Sequence, residues 1–237
     1  MSFMSMQGDI LTIALEHGYQ TDYLDDSFPS KVTAWSGGSL SLNNDATHFG
    51  FVQNGSAHLS CQSGTFTMSA GMYFAAPGEC AIRGSGAGIV VSRRLYLGVF
   101  HLGGPIEEHG RLRYIDGCTD SLLIPPVVKG DPCLNLLQIP AQTNQTEHTH
   151  PSLRIGLVVN GGGECRNPRS TSPLSPGILF VIPAGALHSF HTDDSELTII
   201  AYHPDSDFGP THEVHPMLNR TLVGGHPISH GDCHEVS

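Results

Sequence analysis

Between Lys31 and Phe100, apolar and polar positions alternate with the two-residue period of β-strands. Turn signals at Asn54-Gly55 and Gly84-Ser85-Gly86 interrupt the runs. The same alternation resumes over residues 133–205. Residues 103–132, rich in Gly, Pro and charge, predict a connection, with Ser121-Leu122-Leu123-Ile124-Pro125 as a candidate strand inside it. At the start, residues 8–20 are compatible with a short amphipathic helix or with an opening strand. Pro168 to Pro176, dominated by Ser, Thr and Pro, predicts a loop between strands. From Pro204 onward the chain is polar and His-rich, and is expected to wrap the surface or exchange with a partner. An all-β protein of short strands follows.

Sliding the chain by 106 residues lays its first half over its second. Gly71-Met72-Tyr73-Phe74-Ala75-Ala76-Pro77 falls on Gly177-Ile178-Leu179-Phe180-Val181-Ile182-Pro183, and Phe51-Val52-Gln53-Asn54-Gly55 falls on Leu157-Val158-Val159-Asn160-Gly161. Tyr96 falls on Tyr202, so the alignment is expected to run without a gap. The fold should therefore be two similar units in tandem.

The candidate chemistry lies in the second unit. In Glu147-His148-Thr149-His150 the two histidines are two residues apart, which on an extended segment aims both to one side. His188 follows the Pro183-Ala184-Gly185 turn and completes a set of three if the returning strand lies alongside. Three neutral imidazoles with open positions suit iron, zinc, copper or nickel. Under the same shift His148 meets Leu42, His150 meets Asn44 and His188 meets Ile82, so the first unit should hold no metal.

These residues resemble the two motifs of the cupin superfamily. Gly177, Pro183, Gly185 and His188 match the second motif, Gly-x5-Pro-x-Gly-x2-His, with Thr192 where its closing Asn would stand. His148, His150 and Gly161 match the first, whose glutamate position holds Arg154. The resemblance covers residues 130–205 and implies two tandem cupin barrels of the double-stranded β-helix or jelly-roll type, a bicupin. The expected division is a metal-free barrel at 1–105, a connector at 106–132, a metal-binding barrel at 133–205 and a tail at 206–237.

A guanidinium cannot coordinate a metal. Replacement of the glutamate by Arg154 thus leaves three neutral ligands, similar to the three-histidine centres of thiol and diketone-cleaving dioxygenases among cupins. Those enzymes let substrate and dioxygen bind Fe(II) side by side. The resemblance implies one divalent metal per chain, Fe(II) before Zn, Mn, Ni or Cu. Arg154 is the candidate catalytic residue, pairing with a carboxylate or enolate of a small organic substrate; it could instead point outward to a surface acid. The leading expectation is a non-haem Fe(II) dioxygenase. Two other readings remain: an isomerase, lyase or hydrolase in which Zn, Mn or Ni acts as Lewis acid, and a non-catalytic small-ligand-binding cupin.

Neighbouring residues are assigned blander roles. Glu147 and His191 should face away from the metal side, Phe190 should share the inward face with His188, and Tyr202 should pack. Cys165 is expected to be a buried inert thiol. His212, His215, His226, His230, Cys233 and His234 fit no zinc spacing and are expected to be solvated.

A formal net charge of −11 argues against nucleic acid as partner. No apolar run reaches a membrane span, and the opening Met-Ser-Phe-Met lacks the basic and apolar regions of a signal peptide. The six cysteines are scattered without a C-x-x-C pair, which suits reduced core thiols and a cytoplasmic setting. Exposed sheet edges in such tandem barrels imply a homodimer.

Overall fold

The structure, a computed structural model, describes residues 9–15, 18, 20–23, 27–213, 215, 217–218 and 221–227. It opens with β1 (Leu11–Ala14). Eight strands build the first barrel: β2 (Gln20–Tyr23), β3 (Ser30–Leu42), β4 (Ala46–Asn54), β5 (Ser56–Cys61), β6 (Gly64–Ser69), β7 (Tyr73–Pro77), β8 (Cys80–Arg94) and β9 (His101–Gly103). The second barrel takes β10 (Leu112–Arg113), β11 (Thr119–Ile124), β12 (Cys133–Ile139), β13 (Arg154–Gly161) and β14 (Gly163–Arg166). It continues with β15 (Thr171–Leu174), β16 (Ile178–Ile182), β17 (Ser189–His191) and β18 (Leu197–His203). A short hairpin of β19 (Leu222–Val223) and β20 (His226–Pro227) follows. The all-β tandem-barrel expectation holds.

One sheet runs β2-β3-β8-β4-β7-β9, with β5 and β6 branching from β8. The other runs β1-β16-β13-β18-β12-β11-β10, beside a small sheet β15-β14-β17. The large sheets meet through one apolar cluster. Val32, Phe49, Phe51 and Val91 face Leu136, Ile155, Leu157 and Tyr202 across it. Each barrel also has its own interior, with Trp35, Leu59 and Phe74 in the first and Phe180, Phe190 and Ile199 in the second. The central strands are therefore covered on both faces, so β4 and β12 are buried almost throughout. Each of the large side chains so buried contributes about 1.5–3 kcal/mol.

The repeat reappears as register. In β4·β7, Phe49 pairs with Ala75 and Gly50 with Phe74; in β13·β16, Ile155 pairs with Val181 and Gly156 with Phe180. Both glycines are required by contact. A Cβ on Gly50 would stand 2.1 Å from the Phe74 ring, and one on Gly156 would stand 2.1 Å from the Phe180 ring. Even the bulges coincide, at Val52/Asn54 and at Val158/Asn160.

The gapless alignment fails after this point. Phe49 pairs with Val91 while Ile155 pairs with Tyr202, so Val91 rather than Tyr96 is the counterpart of Tyr202. Leu59 pairs with Ile82 while Cys165 pairs with Phe190, which makes Cys80 rather than Ile82 the counterpart of His188. The physical reason is a break. The continuous strand β8 is replaced in the second barrel by β17, a turn and β18.

Three local expectations also change. Residues 11–14 form a strand, and they add to the second barrel through β16 although they fall within the first expected segment. The connector supplies β10 and β11 to the second sheet. The stretch from Pro168 to Pro176 is not all loop, because β15 within it pairs with β14.

Candidate metal centre and its cavity

His148 and His150 lie on a segment that is extended but too irregular for a full strand. It is tied to the returning chain by reciprocal bonds, His148 N to His188 O at 2.9 Å and His188 N to His148 O at 3.0 Å. Gln145 N donates to Phe190 O, and Gly185 N donates to His150 O. The turn before His188 closes through Ala186 N to Pro183 O, with Gly185 at φ +71°, a left-handed conformation that suits glycine. The Pro-x-Gly spacing thus brings the third histidine back beside the first two.

The three rings converge. Their centroids are 4.4 Å apart for His148 and His188, 5.0 Å for His148 and His150, and 5.1 Å for His150 and His188. One ring nitrogen from each lies within 4.8 Å of the others. His148 Nδ1 meets Thr146 O at 2.9 Å and His188 Nδ1 meets Ala186 O at 2.9 Å. A carbonyl can only accept, so Nδ1 carries the proton in both rings and Nε2 is left with its lone pair. His188 Nε2 is buried and has no hydrogen-bond partner. Burial, then neighbouring Arg154, His188 and His148, hold His150 down to about 3. His188 lies at about 4, mainly through burial. Both shifts keep the His150 and His188 lone pairs unprotonated, and an orphaned Nε2 among three convergent imidazoles fits a divalent cation.

Arg154 faces inward, on the same side of β13 as Gly156, and lines the cavity together with the three histidines. Its Nη1 donates to Ser152 Oγ at 2.6 Å and to Leu153 O at 3.0 Å, and stands 3.9 Å from Asp205. The side chain thus reaches the cavity and also stands close to an acid. Its Nε is buried without a partner.

The cavity has a volume of about 470 Å³. Phe180, Ile182, Phe190, Leu137 and Ile199 give it apolar walls, and Phe190 shares the inward face with His188 as expected. His191 turns away to Asn144 and Ser189, and Glu147 is exposed. Tyr202 is fully buried between the barrels, 5.3 Å from the Phe49 ring. Cys165 is buried in the core, which pushes its thiol up to about 12. Cys61, Cys80, Cys118, Cys133 and Cys165 are free thiols. His212, His215 and His226 are exposed, while His230, Cys233 and His234 lie outside the described residues.

Sequence reading missed several lining groups. His203 is one, held far below its ordinary pKa by burial and then by Arg154 and His150. Asp120, Asn135 and Tyr114 form another part of the wall, and Asp207 and Phe208 close it from the segment after the barrel. Alternation along β18 could have found His203, which shares a face with Ile199 and Ala201. No local signal marks the rest.

A model of the AraC-like ligand binding domain matches residues 138–217. No curated protein matches the chain. Among solved structures, protein Ylba from E. coli is similar at 15% identity and a TM-score of 0.60, over 86% of this chain and 93% of that one. A Cupin 2 conserved barrel domain protein from Leptotrichia buccalis is similar at 11% identity and 0.56, over 84% and 90%. Salicylate 1,2-dioxygenase from Pseudoaminobacter salicylatoxidans, with gentisate, is similar at 11% identity and 0.60, over 82% and 81%. No helix is long and apolar enough to cross a membrane among the described residues. At such identities the likeness is one of architecture, and it agrees with the strand pairing: the chain has the cupin fold, built as two jelly-roll barrels in tandem.

Proposed function

We propose that the second barrel is a metal-dependent oxidoreductase site, a non-haem Fe(II) dioxygenase acting on a small organic acid, with His148, His150 and His188 as ligands. The observation that carries this reading is the buried, unpartnered Nε2 of His188, which converges with two further imidazoles at the cavity wall. A divalent ion held there, Fe(II) in this reading, supplies the redox chemistry that couples dioxygen reduction to oxidation of the organic substrate. Thr146 O and Ala186 O fix the tautomers of His148 and His188 and aim their lone pairs. Arg154 offers its unpartnered Nε to an anionic oxygen of the substrate, with Asp205 and Ser152 holding the guanidinium in place. Phe180 and Phe190 exclude water from the same space.

The test is metal content of untagged, chelator-free protein, followed by oxygen uptake over a panel of small acids. About one iron per chain, lost in a His148→Ala/His188→Ala variant, with uptake reduced by at least tenfold in Arg154→Gln, is the expected result. Oxygen-independent turnover with zinc, manganese or nickel would shift the reading to Lewis-acid chemistry. The match of residues 138–217 to a ligand-binding domain favours a second reading, in which the cavity binds a small ligand without turning it over. Absence of metal from the purified protein would bring that reading forward.

A further inference from the structure

Five buried side-chain polar atoms lack a hydrogen-bond partner among the described residues: Gln53 Oε1, Arg93 Nε, Asn135 Oδ1, Arg154 Nε and His188 Nε2. Three of these residues, Asn135, Arg154 and His188, line the same cavity of the second barrel. Leaving a buried polar atom unpaired is costly, so three of them on residues that line one space point to a ligand that pairs with them. His188 is accounted for by the metal and Arg154 by an anion. Asn135 Oδ1 is not.

The amide of Asn135 is oriented by its neighbour. Nδ2 donates to Asp120 Oδ1 at 3.3 Å and Oδ2 at 3.2 Å, which commits the nitrogen and leaves the carbonyl oxygen as an acceptor. Asp120 lines the same cavity, and burial pushes its carboxyl up to about 6. Asn135 on β12 pairs with Ala201 on β18, and Ala201 pairs with Gly156 on β13. Neither Ala201 nor Gly156 fills the space between, and strands spaced by about 4.8 Å put Asn135 about 10 Å from Gly156. Arg154 stands two residues from Gly156 on the same face. A monocyclic acid spans such a distance, and Phe180 and Phe190 provide apolar contact for its body.

We propose that Asn135, held by Asp120, is a specificity-determining residue that accepts a hydrogen bond from a hydroxyl or amino group of a small carboxylic acid anchored on Arg154. The ligand class is a hydroxy- or amino-substituted acid with an apolar body. This inference rests on the reading of the cavity as the substrate site, but it does not need the metal to be iron.

The experiment is calorimetric titration of the full chain with benzoate and with its 2-, 3- and 4-hydroxy and amino derivatives. It is run on chelator-treated and on metal-loaded protein. At least one derivative is expected to bind tenfold or more tightly than benzoate. Asn135→Ala should bring that ratio below twofold while leaving benzoate affinity within twofold of the parent. Asn135→Leu, which keeps the volume without polar atoms, gives the same readout should the alanine variant melt early. Equal affinity for benzoate and every derivative, binding by none of them, or an unchanged ratio in both variants overturns the proposal. A chain without metal whose ratio still collapses in Asn135→Ala fails the oxidoreductase reading alone.

Discussion

The two barrels share strand order, register and bulges, yet their interiors are finished in opposite ways. In the first, the counterparts of the histidines are Leu42, Asn44 and Cys80, and His48 occupies the place of Arg154. His48 is buried with both ring nitrogens engaged, Nδ1 with Ser92 Oγ at 2.7 Å and Nε2 with Asn43 O at 2.8 Å. In the second, His188 Nε2 and Arg154 Nε are buried and unengaged. The cavities differ accordingly, at about 200 Å³ and about 470 Å³. One barrel closes its polar network on itself, and the other leaves it open toward a space. The scaffold is therefore indifferent to chemistry, which is set by a handful of positions at one end of the barrel.

The sharpest way to break this contrast is to alter equivalent positions. His188→Ala should abolish metal binding, with content falling below about one tenth of the parent, since two imidazoles seldom hold a divalent ion. Cys80→Ala, at the matching place, should leave metal content unchanged. Elemental analysis of both variants decides it, and equal loss in the two would dissolve the distinction.

Where the barrels are alike, they should respond alike. Gly50→Ala and Gly156→Ala each drive a methyl group into a buried phenylalanine ring, and each should cost about 1–3 kcal/mol in urea unfolding. A large effect in one and none in the other would mean that the repeated Gly–Phe contact is structural in only one barrel.

Much of this was legible in the chain because register is a periodic property. The repeat of Gly71–Pro77 at Gly177–Pro183 predicted two barrels, and the His-x-His and Pro-x-Gly spacings brought three histidines together. What failed was the return strand, where the polar run Thr192-Asp193-Asp194-Ser195-Glu196 breaks β17 from β18, a loop signal the gapless alignment passed over, and shifts Cys80 onto His188 and Val91 onto Tyr202. The far wall was hidden for a different reason. Asp120, Asn135 and Asp207 come from three segments joined only by strand pairing and chain return, and no local spacing encodes that. Residues 11–14 gave an apolar pattern but no sign of which barrel they would complete.

Asp120 offers a medium-sized effect peculiar to the open barrel. Its folded pKa of about 6 lies above the ordinary 3.8, so the folded state retains a proton that the unfolded chain releases. Stability is therefore lost as pH rises from about 4 to about 6, and the loss is complete above that window. Asp120→Asn should be more stable than the parent by about 1–2 kcal/mol at pH 7 and no different at pH 3. Chemical unfolding at the two pH values measures it. A gain that is the same at both would remove ionisation as the cause.

The smallest effect belongs to the closed barrel. Burial lowers the pKa of His48 below the ordinary 6.5, with the Asn43 carbonyl bond partly opposing the shift. Well above pH 6.5 His48 is neutral in both states and contributes no slope. As pH falls below that value, the unfolded chain takes up a proton that the folded chain resists, so stability declines toward acid. One such group contributes at most about 1.4 kcal/mol per pH unit. His48→Gln, which can still donate and accept, should flatten the decline between pH 6.5 and 5 in chelator-treated protein without abolishing it. The remaining slope is set by His150, His188, His203 and His191, whose pKa values are lowered in the same direction, against the opposite slope of Asp120 below about pH 6. An acid profile of His48→Gln superimposable on the parent would show that Ser92 and Asn43 accommodate the charged ring, and that the first barrel is not closed against a proton after all.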